Sequence, residues 1–193
     1  SLRLTTALES KPYVSMTIAI QHEFGVKVDA SEDMKEFHVD KQSYRPTEYR
    51  VEGDWSSAAF LLAAGALAGQ VTVEGLNMES LQADAAIIDV LKQMEAQVEL
   101  RKDSAFVSKS SLTGVEFDVS DCPDLFPIVA ALSAMAKGRS VLRGIERLKY
   151  KESDRAEAMV EGLRNMGIEA ILREDSVVIM GGKPRGSVIN PRK

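Results

Sequence analysis

Two stretches of this chain are one stretch written twice. Leu91-Lys92-Gln93-Met94, followed by Leu100-Arg101-Lys102-Asp103-Ser104-Ala105-Phe106-Val107, returns 72 residues later as Leu163-Arg164-Asn165-Met166 and Leu172-Arg173-Glu174-Asp175-Ser176-Val177-Val178-Ile179. Upstream, Gly69-Gln70-Val71-Thr72-Val73-Glu74-Gly75-Leu76 returns as Gly138-Arg139-Ser140-Val141-Leu142-Arg143-Gly144-Ile145, at an offset of 69. A period of that size is a supersecondary unit that buries its apolar face only against a neighbour. Each unit reads as strand, helix, strand, helix and a two-stranded hairpin. The fold class expected is therefore α/β (α+β), made of repeated βαβαββ units, here 51–114 and 115–193. A helix over 18–24 and a hairpin of Val26-Lys27-Val28 with Phe37-His38-Val39 have the form of the second half of an earlier unit. Residues 1–50 are expected to finish one domain, with the polar tract 40–49 and its Pro46 as linker, and 51–193 to supply two units of another. The array is expected to be incomplete at both ends, starting at Ser1 without a methionine. Apolar surface left uncovered by a missing unit predicts self-association between copies.

The three residues by which the two offsets differ fall where the sequence is most charged. Arg147-Leu148-Lys149-Tyr150-Lys151-Glu152-Ser153-Asp154-Arg155 lies between an apolar strand and an amphipathic helix, so its charges collect at a strand end and a helix N-terminus, where backbone N–H groups favour an anion. A solvated loop has the same composition. Arg155 lies one helical turn beyond Lys151, so the two cations form a fork for a carboxylate or phosphate, with Glu152 beside them suited to proton transfer. Asp154 followed by Glu157 reads as a capping box, and Met159, Leu163 and Met166 follow at core spacing before Gly167. The second candidate is Asp121-Cys122-Pro123-Asp124-Leu125-Phe126-Pro127, after a strand over 115–119 and before a helix over 128–135. Asp54-Trp55-Ser56-Ser57 holds the same place in the preceding unit, before an Ala- and Leu-rich helix over 56–68 expected to be buried on nearly every side. N-caps alone account for both, so cap and catalyst stay unseparated on spacing. Cys122 reads as an inert small residue unless the helix N-terminus lowers its pKa.

Composition excludes several classes. A net charge of -5 opposes a general nucleic-acid binder. One cysteine precludes an internal disulfide framework and suits a reducing, cytoplasmic setting, and one Cys with two His is too few for a zinc cluster. The longest apolar run, 58–68, is too short to span a bilayer. There is no glycine-rich phosphate loop, and no metal or cofactor is expected.

Ser10-Lys11-Pro12-Tyr13, Val51-Glu52-Gly53-Asp54-Trp55-Ser56-Ser57-Ala58, the 121–127 stretch and Lys151-Glu152-Ser153-Asp154-Arg155-Ala156-Glu157-Ala158-Met159 occur in the order that characterises the 5-enolpyruvylshikimate-3-phosphate synthases. The chain resembles a central segment of that family essentially from end to end. The resemblance implies the enolpyruvyl transferase fold, two domains each of three βαβαββ units. It implies transfer of the enolpyruvyl group of phosphoenolpyruvate to the 5-hydroxyl of shikimate 3-phosphate with release of phosphate, a step toward chorismate and the aromatic amino acids. By the same resemblance Asp124 binds the shikimate hydroxyls and accepts a proton from the attacking oxygen. Lys151 contacts both substrates, Glu152 handles the proton at the methylene carbon, and Arg155 pairs with phosphoenolpyruvate. Ser10 meets the shikimate phosphate, and Tyr13 lies near it. The family's N-terminal lysine-serine-arginine cluster, its serine-serine-glutamine stretch and its asparagine-aspartate-histidine-arginine motif are not in these 193 residues. Little or no turnover is therefore expected from this chain by itself. The alternatives are an enolpyruvyl transferase acting on UDP-N-acetylglucosamine, disfavoured by the Lys151–Arg155 motif, and a non-catalytic RNA-binding or structural module, disfavoured by the charge.

Overall fold

The chain opens with a small body, residues 1–50, in which Val26 alone is buried. The structure, a computed structural model, describes residues 1–150 and 154–189. Strand β1 (Leu2–Arg3), helix α1 (Lys11–Glu23), β2 (Asp29–Ala30) and β3 (Glu36–His38) come first, with the strands ordered β1-β3-β2. Pro12 sits in the first turn of α1, where its missing N–H costs nothing. No residue of α1 is fully buried. Its inner side faces an open apolar groove of about 470 Å³ lined by Leu4, Leu8, Ile18, Phe37 and Val39. The expected hairpin exists but is shifted: β2 pairs with β3 through Asp29↔His38 and Ala30↔Phe37, while 26–28 is not a strand. The Val26 N–H is already used, donating to the Gln21 carbonyl at 2.9 Å to close α1, so that stretch serves the helix stop instead of a ladder.

Residues 39–54 contain no helix or strand. That corrects the strand expected at the head of the 51–114 unit. There, Gly53 N–H donates to the Gly75 carbonyl at 2.9 Å. Gly75 is in the left-handed region at φ 79, which turns the backbone away before a ladder extends.

From Trp55 the repeat reappears as hydrogen-bond register. The first unit runs α2 (Trp55–Ala68), β4 (Gln70–Glu74), a 3-10 turn at Ala83–Ala86, α3 (Ile87–Gln93), β5 (Gln97–Leu100) and β6 (Ser104–Ser108). The second runs β7 (Glu116–Asp118), a 3-10 turn at Pro123–Leu125, α4 (Phe126–Met135), β8 (Arg139–Arg143), a 3-10 turn at Glu146–Tyr150, α5 (Arg155–Asn165), β9 (Glu169–Leu172) and β10 (Ser176–Met180). Their sheets are ordered β4-β6-β5 and β7-β8-β10-β9. Only β7 with β8 is parallel; the other pairings in these two sheets are antiparallel. The pair Gln70↔Ser108 has its counterpart in Arg139↔Met180, at the sequence offsets of 69 and 72. The inward residues match as well: Ala105 and Val107 of β6 are fully buried, as are Val177 and Ile179 of β10. Strand alternation puts every second side chain on one face, so an alignment that keeps register also keeps the core.

Both units share one hydrophobic core, in which Trp55, Leu62, Ile87, Phe126, Leu132, Leu142 and Leu163 are among the buried residues. Helix α2 packs on β4, β6 and α4 through Ala58, Ala59, Leu62, Ala63 and Ala66. It is not buried all round: Phe60 is 60% and Leu61 54% exposed, because the side away from the sheet and α4 carries no neighbour among the described residues. Three helices end alike. Gly25, Glu95 and Gly167 have φ of 79°, 63° and 80°, and each donates its N–H three residues back, to His22, Lys92 and Arg164. The following residues, Val26, Ala96 and Ile168, close the Schellman bond to Gln21, Leu91 and Leu163. No helix among the described residues is long and apolar enough to cross a membrane.

Candidate active site

Each candidate side chain stands where one element stops and the next begins. Asp124 occupies the 3-10 turn after β7, and Arg155 is the first residue of α5. The Arg155 guanidinium meets Asp124 Oδ1 at 2.5 Å, with Asp124 40% exposed and Arg155 27% exposed. A capping side chain is absent from the start of both that turn and α4, so Asp124 is not spent on a helix end. In the preceding unit Asp54 is a cap, accepting from the N–H groups of Ser56 at 3.1 Å and Ser57 at 3.0 Å. The Ser57 hydroxyl, then burial, act in opposite senses on Asp54, and the backbone donors tip the balance so that its carboxyl lies below the usual range. The equivalence drawn from the sequence thus splits into one carboxylate that caps a helix and one that meets a guanidinium. Asp154 caps α5, accepting from Glu157 N–H at 3.0 Å. Lys151 and Glu152 lie outside the described residues.

Ser10 and Tyr13 arrive from α1. Ser10 precedes the helix in the left-handed region at φ 51 and makes no side-chain cap. Its hydroxyl accepts instead from Arg147, which also pairs with Glu9 at 2.9 Å. These three residues line a cleft of about 240 Å³ with Ser120, Asp121 and Glu146. Tyr13 N–H donates to the Ser10 carbonyl at 3.1 Å, keeping the two on one turn. The Tyr13 hydroxyl donates to Asp84 Oδ2 at 3.0 Å, and the Ser56 hydroxyl donates to the same oxygen at 3.0 Å. Burial first, and then the charge and acceptor of Asp84, hold the Tyr13 phenol protonated well above its ordinary range, with the Asp124 charge acting in the same direction. Burial likewise raises the Asp84 carboxyl; the Ser56 and Tyr13 hydroxyls oppose it, and the charges of Asp124 and Asp54 add to it. Cys122 is buried at 3% exposure, and its thiol is pushed up to about 12, chiefly by burial. Burial and the raised pKa agree with the small unreactive residue expected from the sequence and not with a thiol activated by the helix N-terminus.

Four of the six candidate residues are described, and they form a connected set: Ser10 beside Tyr13, Tyr13 within reach of the Asp124 charge, Asp124 against Arg155. Sequence reasoning missed Asp84 entirely and passed over Arg147 within the charged run. Arg147 carried a signal, a cation in the interval between the two offsets. Asp84, set among alanines, carried none.

The family model for EPSP synthase (3-phosphoshikimate 1-carboxyvinyltransferase) matches residues 1–191. The chain belongs to the EPSP synthase family. A 3-phosphoshikimate 1-carboxyvinyltransferase of Dehalococcoides mccartyi is 40% identical over 189 residues, which are 98% of this chain and 45% of that protein. One from Halobacterium salinarum is 44% identical over 188 residues, 93% of this chain and 43% of that protein. The chain thus spans less than half the length of the curated relatives it matches. Among solved structures, an EPSP synthase from Acinetobacter baumannii superposes with a TM-score of 0.70 at 29% identity, covering 85% of this chain and 40% of that one. The enolpyruvyl transferase NikO from Streptomyces tendae gives 0.67 at 18% identity, covering 91% of this chain and 41% of that one, and shows a shared fold. The α/β architecture expected from the repeat and the enolpyruvyl transferase fold implied by the resemblance are thereby established.

Proposed function

We propose that this chain supplies one wall of a site that transfers the enolpyruvyl group of phosphoenolpyruvate to the 5-hydroxyl of shikimate 3-phosphate. The observation that carries this reading is the contact between Asp124 and Arg155, in a family member whose Tyr13 lies within reach of the Asp124 charge and is joined to Ser10 by a backbone hydrogen bond. In the addition step Asp124 takes the proton of the 5-hydroxyl as its oxygen attacks C2 of phosphoenolpyruvate. Glu152 delivers a proton to the methylene carbon, which becomes a methyl group. The tetrahedral adduct then loses a methyl proton and expels inorganic phosphate, restoring the double bond. Two carboxylates at separate stations suit a reaction that moves protons on both partners. Lys151 and Arg155 offset the negative charge of phosphate and carboxylate, with Arg155 offering a planar fork where Lys151 is a point charge. Ser10 and Tyr13 meet the shikimate moiety.

In the same reading residues 1–50 close one domain and 51–193 form two units of the other, with the substrates between them. The apolar groove beside α1 and the exposed Phe60 and Leu61 support self-association of the chain, and a single monomeric species in sedimentation at high concentration refutes that part. Calorimetry tests the site. Shikimate 3-phosphate is expected to bind the chain and to bind Asp124→Ala at least about tenfold more weakly, the size of one hydrogen bond to a charged group. Equal affinity in the two proteins refutes the role of Asp124.

A further inference from the structure

Asp84 enters neither the sequence reading nor the reaction as proposed, yet it is the one charged residue buried among the described residues, at 2% exposure. Its Oδ2 accepts two hydroxyl hydrogen bonds, and its Oδ1 has no partner. A buried carboxylate with a bare oxygen is a costly way to fill space, and an apolar side chain of similar size does so more cheaply. Its donors come from different parts of the fold. Ser56 lies at the start of α2, 28 residues away, and Tyr13 on α1, 71 residues away. Around Tyr13 the remaining neighbours that act on its phenol are Asp124 and Cys122. The Tyr13 ring, half-buried and carried on a helix without a buried residue, thus takes its placement from its hydroxyl.

We propose that Asp84 is a positioning residue for Tyr13: it draws the phenol hydroxyl to one side, so that Tyr13 meets a bound ligand with its ring face and an oxygen lone pair. A phenol whose proton is committed in this way accepts from a ligand hydroxyl and offers nothing to a phosphate or carboxylate oxygen. Tyr13 therefore selects for the polyol part of its ligand, while anions fall to the cations. Ser56 completes the device. By donating to the same Oδ2, it fixes the carboxylate rotamer so that Oδ2, not Oδ1, faces Tyr13. The choice of shikimate 3-phosphate as that ligand rests on the function proposed above; the placement of Tyr13 by Asp84 does not.

The test has a ligand-free arm and a binding arm, both on the chain as it stands. In protein labelled with ζ-carbon-13 tyrosine, the Tyr13 resonance, assigned through Tyr13→Phe, is expected to move in Asp84→Asn and further in Asp84→Ala. The indole N–H resonance of Trp55, which donates to the Asn77 carbonyl at 3.1 Å, is expected to stay and so reports an intact neighbourhood. An unmoved Tyr13 resonance in folded Asp84→Ala overturns the proposal. By calorimetry, shikimate 3-phosphate affinity is expected to fall about tenfold in Tyr13→Phe and in Asp84→Ala, and less in Asp84→Asn, which keeps an acceptor. The double variant Tyr13→Phe/Asp84→Ala is expected to be no weaker than either single one. Losses that multiply in the double variant overturn the proposal, since a merely structural Asp84 acts independently of the Tyr13 hydroxyl. If Asp84→Ala fails to fold, Asp84→Asn carries both arms. A wild-type chain that binds no shikimate 3-phosphate refutes the ligand assignment alone, and the tyrosine resonance then decides the role of Asp84.

Discussion

Glu95 is the residue at which the repeat asks for glycine and does not receive it. The same helix-ending position is Gly25 after α1 and Gly167 after α5, and all three have positive φ, 79°, 63° and 80° in chain order. For an L-residue the left-handed conformation costs about 1–2 kcal/mol. A glycine placed there avoids that cost but forfeits about 0.5–1 kcal/mol through the greater freedom of the unfolded chain. Glu95→Gly is therefore expected to stabilise the protein by about 0.5–1 kcal/mol. The side chain removed is exposed, and the two backbone bonds that close the helix, Glu95 N–H to Lys92 and Ala96 N–H to Leu91, remain. In a domain of this size that is a rise in Tm of about 1–4 °C. The converse substitution, Gly167→Ala, is expected to lower Tm by a similar or larger amount. Its Cβ would find Arg185 at an unstrained 3.9 Å, so the loss is attributable to the backbone. Thermal unfolding by circular dichroism at fixed concentration reads both. A Glu95→Gly variant with an unchanged or lower Tm would refute the equivalence of the three helix ends, whatever Gly167→Ala does.

Other consequences are as direct. Asp54→Ala removes the cap of α2 and is expected to cost about 0.5–2 kcal/mol at neutral pH. Because the folded-state pKa of Asp54 is lowered, this contribution is fully present above the unfolded value near ~4 and fades as pH falls through the folded value; urea titrations of both proteins at pH 7 and in strong acid check the sign. Cys122, with its thiol pushed up to about 12, is expected to resist iodoacetamide at pH 8 until denaturant is added; prompt labelling of the native chain counters this. Arg155→Lys keeps the charge near Asp124 but loses the planar fork, and phosphoenolpyruvate binding in calorimetry is expected to weaken about tenfold; an undiminished affinity removes Arg155 from the site.

The internal repeat made much of this fold legible, because an even side-chain period carries register and burial together: Ala105 and Val107 predict the inward faces of Val177 and Ile179. It misled at 51–54, where Gly53 makes a hydrogen bond to Gly75 and the left-handed Gly75 then turns the partner backbone away before a strand can run. The first strand of the hairpin after α1 starts later than expected because closure of the helix consumed the Val26 N–H. Within the site, chemical type was readable and partnership was not. Asp54 and Asp124 look alike in sequence, and what separates them is a guanidinium 31 residues from Asp124 in the chain. Asp84 has neighbours that signal nothing, and its meaning lies in hydroxyls 28 and 71 residues away.

Helix α1 holds to the rest of the molecule in an unusual way. It buries no residue completely, and its firm attachments are the Tyr13 hydroxyl on Asp84 and, beside its start, Ser10 on Arg147, the latter across 137 positions of chain. Contacts so distant in sequence form late in folding, after the loops they close have been ordered by other contacts. They are also the first to release, since a few part-buried polar bonds hold less firmly than a packed apolar face. Amide exchange should therefore divide the molecule sharply, with α1 trading its hydrogens fast through brief undocking while α2 and α4 wait for global unfolding. Tyr13 would then spend part of its time away from Asp84, and in the reaction proposed above substrate would find a site that it must help to assemble.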